Sequence, residues 1–410
     1  MAQIIFIIII AIIILDFCFE RWLEYLNAKR RDDKLPTELE GIYDSTKYLQ
    51  QQNYEKINFR FSLLTSTFSF GLILAMLLFN GFAIIDTISR GLSENTIFIA
   101  LIFFGILMFA SDILSTPFSV YHTFVIEEKF GFNKTTPKTF FFDKMKGWLL
   151  TALIGGGLLS LIIWLFQSTG EYFWLFAWSV VSGFMFFMAL FYSSLIVPLF
   201  NKQKPLEEGA LKTAIQSFCN KVGYKLKNVY VIDGSKRSTK ANAYFTGFGK
   251  KKRIVLYDTL INDLSTEEIV AVLAHEIGHN KKKHTVQSMI LSVLQTGIIL
   301  FIFSKVADNP LLSQALGAEQ HGFHLGLITF GILFSPISFI TGIGLNILSR
   351  KNEYEADAFA TINYNGLHLI SALKKLTEKN LSNLTPHPVY VFFHYSHPTL
   401  LERIRRINAL

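Results

Sequence analysis

Long apolar runs recur along the chain, and the polar positions are gathered between them. A helix needs about 20 residues to cross the hydrocarbon core of a membrane, and several runs approach or exceed that length. We count seven runs, at roughly 3–19, 61–85, 97–118, 148–166, 172–196, 286–304 and 325–348. The pattern predicts an α-helical polytopic membrane protein.

Two polar segments interrupt the apolar pattern and divide the chain into four predicted parts. Residues 1–199 form a membrane region with five spans, and residues 286–348 form a hairpin of two spans. Between them, residues 200–285 combine a helical spacing of apolar residues with two short β-rich runs, which predicts a small α+β unit. Residues 349–410 are predicted to form two or three helices with a proline-containing loop.

Composition and charge support the membrane class and orient the chain. Of 410 residues, 51% are apolar and only 17% are charged, which is outside the usual range of soluble domains. The net charge is +8, yet 37 of the 39 Lys and Arg residues lie in one alternating set of loops, and only Arg90 and Lys305 lie in the other. Because basic loops stay in the cytosol, the amino terminus is predicted outside and both large polar segments inside. This distribution argues against nucleic acid as a partner.

The sequence HEIGH, which begins at His275, has the spacing of a metal site on a helix. Residues four apart share a helical face, so His275 and His279 can direct imidazole nitrogens at one ion. Glu276 can face a water on that ion, which zinc makes acidic, and can take its proton. Ser265 and Glu268 form a capping-box pattern, which predicts that the helix begins just after Ser265.

A catalytic zinc needs a third protein ligand, and Glu353 is the best candidate. In SRKNEYEADAFA, Asp357 lies four residues further along a predicted helix and can orient a ligating imidazole. Glu355 falls on another face of that helix. His284 is five residues beyond His279, about 140° further round a continuous helix, and would point away from the metal. We therefore predict one zinc ion per chain, held by two histidines and one glutamate.

Two features near the motif bear on partners. The run ANAYFTGF, residues 241–248, is either an edge strand to which an extended substrate adds or an ordinary hairpin strand, and the sequence favours neither. Basic clusters at 250–253 and at 281–283 are typical of anchors to lipid headgroups. Membrane lipids are therefore expected partners.

Five blocks of sequence are more distinctive together than any one of them alone. They are PFSVYHTFVIEEKFGFNKTT at 117–136, DGSKRSTKANAYFTGFGKKKRIVLYDTL at 233–260, HEIGH at 275–279, NEYEADAFA at 352–360 and HYSHPTLLERI at 394–404. In this order, they resemble the CAAX prenyl protease type 1 family of integral-membrane zinc metalloendopeptidases. The resemblance covers nearly the whole chain.

The resemblance implies seven spans that enclose a chamber, a zinc site that faces the cytosol, and Glu276 as the general base. Asn242 would hold a backbone group of the substrate, whereas His397 and Arg403 would line the site and hold a substrate or ligand carboxylate. Read from the residues alone, these three are more typical of a turn, a helix start and an exposed helix charge. The implied zinc ligands are His275, His279 and Glu353.

The ends of the chain carry an expectation about its membrane. The first apolar run has no Lys or Arg before it and no cleavage site after it, so we expect it to remain as a helix. The chain is shorter than eukaryotic members of that family tend to be, and its last residues, RRINAL, contain no retrieval signal. We expect a bacterial plasma membrane rather than the endoplasmic reticulum. Since bacteria generally lack protein prenylation, a substrate in membrane-protein turnover is then an alternative to a prenylated one.

These inferences lead to one hypothesis and two alternatives. The hypothesis is a zinc endopeptidase that hydrolyses peptide bonds near the carboxyl terminus of CAAX-type, prenylated substrates or of other membrane-associated peptides or proteins. A general quality-control metalloprotease differs from it in substrate alone. A transporter or channel with a structural zinc ion belongs to another class, and Glu276, a carboxylate that is not a ligand, argues against it, as does the lack of a paired repeat among the spans.

Overall fold

Helices and one small sheet make up most of the chain in the computed structural model, which describes residues 1–30, 35, 37–225, 228–246 and 253–410. Residues 250–252 of the basic cluster and residues 247–248 of the predicted strand lie outside the described residues. The helices are α1 Ala2–Lys29, α2 Ser45–Leu78, α3 Gly81–Leu92, α4 Thr96–Tyr121, α5 Pro137–Leu150, α6 Gly156–Thr169, α7 Phe173–Phe191, α8 Val197–Phe200, α9 Ala210–Lys221, α10 Asp258–Asp263, α11 Thr266–Lys281, α12 His284–Ser304, α13 Pro310–Gln314, α14 Phe323–Asn363, α15 Gly366–Lys379, α16 Pro388–His394 and α17 Leu400–Asn408. The strands are β1 Gln203–Pro205, β2 Asn228–Ile232, β3 Ala243–Thr246 and β4 Arg253–Tyr257.

Among the described residues, six helical stretches are long and apolar enough to cross a membrane, and the seven predicted spans map onto them. The difference arises in Pro137–Phe200, whose 64 residues contain two predicted spans. At 1.5 Å per residue, a straight helix of that length would measure about 96 Å, roughly three times the hydrocarbon thickness. The stretch is instead broken at Gly170–Tyr172, where Gly170 has a φ of 51°, and α6 packs against α7. The fold is that of a polytopic membrane protein.

The predicted second span, 61–85, is wrong at its end. α2 stops at Leu78, Asn80 adopts a left-handed backbone with φ 53°, and α3 begins at Gly81 as a separate helix. Asparagine tolerates this conformation better than most side chains. The apolar composition continues through the turn, so hydropathy alone does not reveal the break.

The predicted α+β unit contains a four-stranded sheet in the order β1-β2-β4-β3. The two β-rich runs form β2 and β4, which pair in parallel. β1 and β3 pair antiparallel with them on the two outer sides. Among the described strands, β3 therefore lies at an edge of the sheet, and it also pairs antiparallel with β4, the next strand along the chain. Addition of a substrate strand to this edge remains a prediction.

One hydrophobic core joins this sheet to the carboxyl-terminal helices. Ile254 of β4 and Ile404 of α17 belong to the same cluster of buried side chains. Tyr43, from a segment that precedes α2, is also part of it. Residues 200–285 and 349–410 thus share one core, although they are predicted as two separate parts of the chain.

The last membrane helix also carries the third predicted ligand. α14 is continuous over 41 residues, from Phe323 to Asn363, so it includes both the predicted span 325–348 and Glu353. The position of Glu353 is therefore fixed by the same helix that crosses the membrane.

Candidate active site

The amino-terminal end of α11 is fixed by the capping box that the sequence predicts. The Ser265 backbone N–H donates to Glu268 Oε2 at 2.8 Å, and the Glu268 N–H donates to Ser265 Oγ at 3.3 Å. The same carboxylate accepts hydrogen bonds from Ser371 and Lys375 of α15, at 2.6 and 2.8 Å. These contacts start the helix at Thr266 and hold it against α15.

Close packing of α11 against α14 brings the two halves of the site together. At Gly278, the fourth residue of HEIGH, a Cβ atom would lie 3.1 Å from both Ala356 Cα and Phe359 Cβ. Such contacts are tighter than real side chains normally make, so glycine is what permits this approach. The histidine face of α11 consequently faces Glu353 of α14.

His275, His279 and Glu353 form a compact group, and each offers one ligand atom within 4.8 Å of the others. The Nε2 atoms of the two histidines are 3.1 Å apart. Glu353 Oε2 lies 3.4 Å from His275 Nε2, and Oε1 lies 3.1 Å from His279 Nε2. Ligands about 2.0–2.2 Å from one ion at tetrahedral angles are about 3.4 Å apart, so these three residues fit a metal ion.

Two further observations support the fit. Glu353 Oε2 is buried and receives no hydrogen bond from any described residue. Burial lowers the pKa of His275, but the neighbouring carboxylates of Asp357 and Glu353 outweigh that effect and raise it to about 9. A metal cation between the three ligand atoms would give this buried carboxylate oxygen a partner.

Asp357 contacts His275 on the side of the ring away from the ligand group. Its Oδ1 lies 2.8 Å from His275 Nδ1, which leaves Nε2 of that ring directed at the ligand group. Asp357 also accepts two hydrogen bonds from Arg403, at 2.6 and 2.9 Å. Arg403 Nη1 is 3.7 Å from Glu353 Oε2. The Arg403 guanidinium is thus engaged with protein carboxylates, and it is mostly buried rather than a solvated helix charge.

The other predicted site residues are more open. His397 Nε2 is 3.3 Å from Glu353 Oε1, and 63% of its side chain is exposed. Glu276 is half-buried, and its side-chain carboxylate makes no hydrogen bond or ion pair with the described residues. Asn242 is exposed just before β3, where its Oδ1 accepts from the Ala243 N–H at 2.8 Å. Within the part of the chain that the structure describes, Asn242 makes no hydrogen bond or ion pair with the metal-binding group.

Sequence reasoning missed the environment of His279. His284 is buried, and its Nδ1 lies 3.0 Å from His279 Nδ1. Glu355 Oε2 lies 3.4 Å from the other ring nitrogen of His284. His284 is not part of the described metal-binding group, but the helical geometry from which its direction is predicted does not apply. α11 ends at Lys281, and Lys283 has a left-handed backbone, so the continuous helix assumed between the two histidines does not exist.

Long apolar helices joined to a buried group of two histidines and a glutamate define an integral-membrane metallopeptidase. Family models agree over nearly the whole chain. Residues 24–202 match the CAAX prenyl protease N-terminal model, described as five membrane helices, and residues 205–410 match peptidase family M48. The chain belongs to peptidase family M48 and is a metalloendopeptidase.

The chain also aligns with named relatives over almost the full length of both proteins. The chain is 35% identical to CAAX prenyl protease 1 from Saccharomyces cerevisiae, over 96% of this chain and 93% of that protein. It is 37% identical to a CAAX prenyl protease 1 homolog from Oryza sativa subsp. japonica, over 98% and 96%. The crystal structure of S. mikatae Ste24p superposes with a TM-score of 0.94 at 34% identity, over 98% of this chain and 99% of that one. The organisms named are eukaryotes, so these relatives do not support the expected bacterial membrane.

Proposed function

We propose that this chain is a zinc-dependent endopeptidase that hydrolyses a peptide bond near the carboxyl terminus of CAAX-type, prenylated substrates or of other membrane-associated proteins. The observation that carries the proposal is the group of three ligand atoms from His275, His279 and Glu353 within 4.8 Å. Two imidazoles and one carboxylate form a donor set typical of catalytic zinc, which keeps a further position open. These residues would hold the ion, one per chain.

Bound zinc would supply Lewis acidity, which polarises a carbonyl oxygen and lowers the pKa of a water. Glu276 lies next to His275 on α11, and no described residue occupies its carboxylate with a hydrogen bond or an ion pair. It is therefore available to take a proton from water during attack and to pass that proton to the leaving amine. Asp357 and Arg403 act through His275 by fixing the orientation of its ring, at the distances described above.

Substrate binding is proposed along β3. An edge strand has unpaired backbone N–H and C=O groups, to which an extended peptide can add as a further strand. Asn242, at the start of β3, is exposed and can reach a backbone group of such a peptide. His397 is exposed beside Glu353 and would face the peptide or its terminal carboxylate. A prenyl group and the surrounding lipids would lie on the membrane side of this strand.

The site is proposed to face the cytosol. The proposal is supported by the charge distribution along the sequence, because the segments that contain α11 and the carboxyl-terminal helices are rich in Lys and Arg. Lys281, Lys282 and Lys283 are exposed between the end of α11 and the start of α12, where they can contact lipid headgroups. A substrate held in the membrane would thus be cleaved at the membrane surface.

The proposal is tested with purified protein in detergent, a farnesylated CAAX peptide and the same peptide without the lipid. We expect Glu276→Ala to retain zinc and to lower cleavage by a factor of about 10²–10⁴, because the general base is lost. Glu267→Ala, an exposed position on the same helix, is the matched control and should cleave like wild type. Equal cleavage by Glu276→Ala would contradict the mechanism.

The same assay separates the alternatives. A strong preference for the farnesylated peptide supports the CAAX substrate class, whereas equal cleavage of both peptides favours a general quality-control protease. Absence of cleavage by wild type with zinc bound would favour a transporter or channel that holds zinc structurally.

A further inference from the structure

A chain of contacts centred on the buried His284 lies behind His279, on the side away from the other ligand atoms, and its outer member Glu355 has a side chain that is 37% exposed. It begins at His279 Nδ1, passes through both nitrogens of His284 and ends at Glu355 Oε2, with separations of 3.0 and 3.4 Å. His284 is only 5% exposed, although the three lysines before it are exposed. A buried imidazole with a polar partner at each nitrogen indicates a hydrogen-bonding role and not only apolar packing.

The backbone places His284 there through a sharp local turn. Lys283 has φ 62°, and α12 begins at His284 immediately after it. The turn returns the ring to α11 instead of continuing around the helix. One turn further on, Asn352 Nδ2 donates to Gln287 Oε1 at 3.3 Å, which ties α12 to α14 beside the site.

We propose that His284 is a positioning residue for His279, with Glu355 as its outer partner. The inference rests on the proposed metal site. With Nε2 of His279 directed at the metal, its proton is on Nδ1 and is donated to His284 Nδ1. The proton of His284 is then on Nε2, which faces the Glu355 carboxylate. Each partner therefore fixes the tautomer and the ring orientation of the next.

The arrangement parallels the support of the other histidine ligand. Asp357 contacts His275 Nδ1 directly at 2.8 Å, whereas Glu355 acts on His279 through one intervening imidazole. Partners of this kind orient ligands, and their loss typically costs 10–100-fold in metal affinity. Both histidine ligands of the site are thus held from behind by an acidic residue of α14.

The test measures how fast zinc leaves the full-length, zinc-loaded protein in detergent when an excess of a coloured chelator is added. His284→Leu retains the bulk of the side chain and removes the acceptor, and we expect zinc release to become about 10–100 times faster. His284→Asn restores an acceptor close to the position of Nδ1 and should stay within about threefold of wild type. Lys282→Ala, an exposed neighbour, is the control and should release zinc like wild type.

Two results would overturn the inference: release from His284→Leu at the wild-type rate, or release from His284→Asn as fast as from His284→Leu. The second would mean that side-chain packing, and not the hydrogen bond, holds His279. If His284→Leu does not fold, Glu355→Leu takes its place, with release expected to be several times faster and an unchanged rate overturning the inference. Wild-type protein that binds no zinc would instead refute the proposed function itself.

Discussion

At the scale of single residues, the site depends on which atom of each side chain remains free to bind a metal ion. His275 uses Nδ1 for Asp357 and keeps Nε2 for the metal-binding group. The spacing in the sequence puts Glu353 and Asp357 on one helical face and predicts that Asp357 orients a ligating imidazole, but it does not say which of the two histidines that is. It does not predict the contact of His284 with His279, because the chain turns at Lys283 and no continuous helix joins the two histidines.

Replacing Asp357 by Asn tests the support of His275. The buried Arg403 would lose its paired charge, and His275 would lose a charged acceptor. We expect zinc affinity to fall 10–100-fold and the free energy of unfolding to fall by about 3–5 kcal/mol. Zinc titration and denaturant unfolding in detergent measure the two effects.

The matched control is Asp263→Asn, since Asp263 pairs with Lys379 at 3.1 Å in a more exposed position. A pair of this kind contributes about 1 kcal/mol or less. Similar losses in the two variants would contradict a special role for Asp357.

At the scale of elements, the sequence predicts the helices better than their junctions. The capping box at Ser265 and the periodicity around Glu353 correctly indicate helices, because both signals are local. The close crossing of α11 and α14 at Gly278 is a tertiary contact, and a single glycine within a helical pattern does not reveal what packs against it.

Adding a methyl group at Gly278 should separate the two metal-binding helices. A Cβ would meet the backbone of Ala356 at 3.1 Å, which cannot shift as readily as the end of a side chain. We expect Gly278→Ala to destabilise the protein by about 1–3 kcal/mol and to weaken zinc binding. Gly344→Ala, within α14 but with no atom within 4 Å of its Cβ, is the control for thermal unfolding and zinc content. Stability and zinc content like those of wild type in Gly278→Ala would show that the crossing of α11 and α14 can accommodate a methyl group.

The junction of α11 and α15 should make stability depend on pH. Burial raises the pKa of Glu268, but hydrogen bonds from Lys375 and Ser371 outweigh this effect and lower it below its ordinary value. Because the unfolded chain then binds the proton more readily, this contribution is complete above the unfolded pKa of about 4.3 and is lost as pH falls through the folded pKa.

We therefore expect the melting temperature of wild type to fall more steeply with acidification below about pH 5 than that of Glu268→Gln. Thermal unfolding in detergent across that range measures the difference, with Glu319→Gln, an exposed position, as the control. Parallel curves for wild type and Glu268→Gln would refute the assignment.

At the scale of the whole molecule, membrane helices and a peptidase unit are continuous. α14 is both a membrane helix and the carrier of Glu353, and α12 enters the apolar region directly behind His284. The lengths of the apolar runs predict the spans, because a helix must be about 20 residues long to cross the hydrocarbon core. The shared core that includes Tyr43 could not be predicted, because contacts between distant segments leave no periodic signal.

The proposed orientation is tested by labelling cysteines with a membrane-impermeant maleimide in intact bacterial cells that express the protein in their plasma membrane. In a Cys18→Ser background, Glu94→Cys should be labelled directly, whereas Lys282→Cys should be labelled only after permeabilisation. Both positions are exposed, so access to the reagent decides the result. The reverse pattern would place the active site on the outer face.

Zinc removal tests the central claim most directly. Purified protein is assayed for zinc content and peptide cleavage before chelation, after chelation, and after one equivalent of zinc is returned. The account predicts about one zinc per chain, loss of cleavage with the metal, and recovery with zinc but not with magnesium, which prefers oxygen ligands. Cleavage that continues at the full rate in zinc-free protein would contradict it.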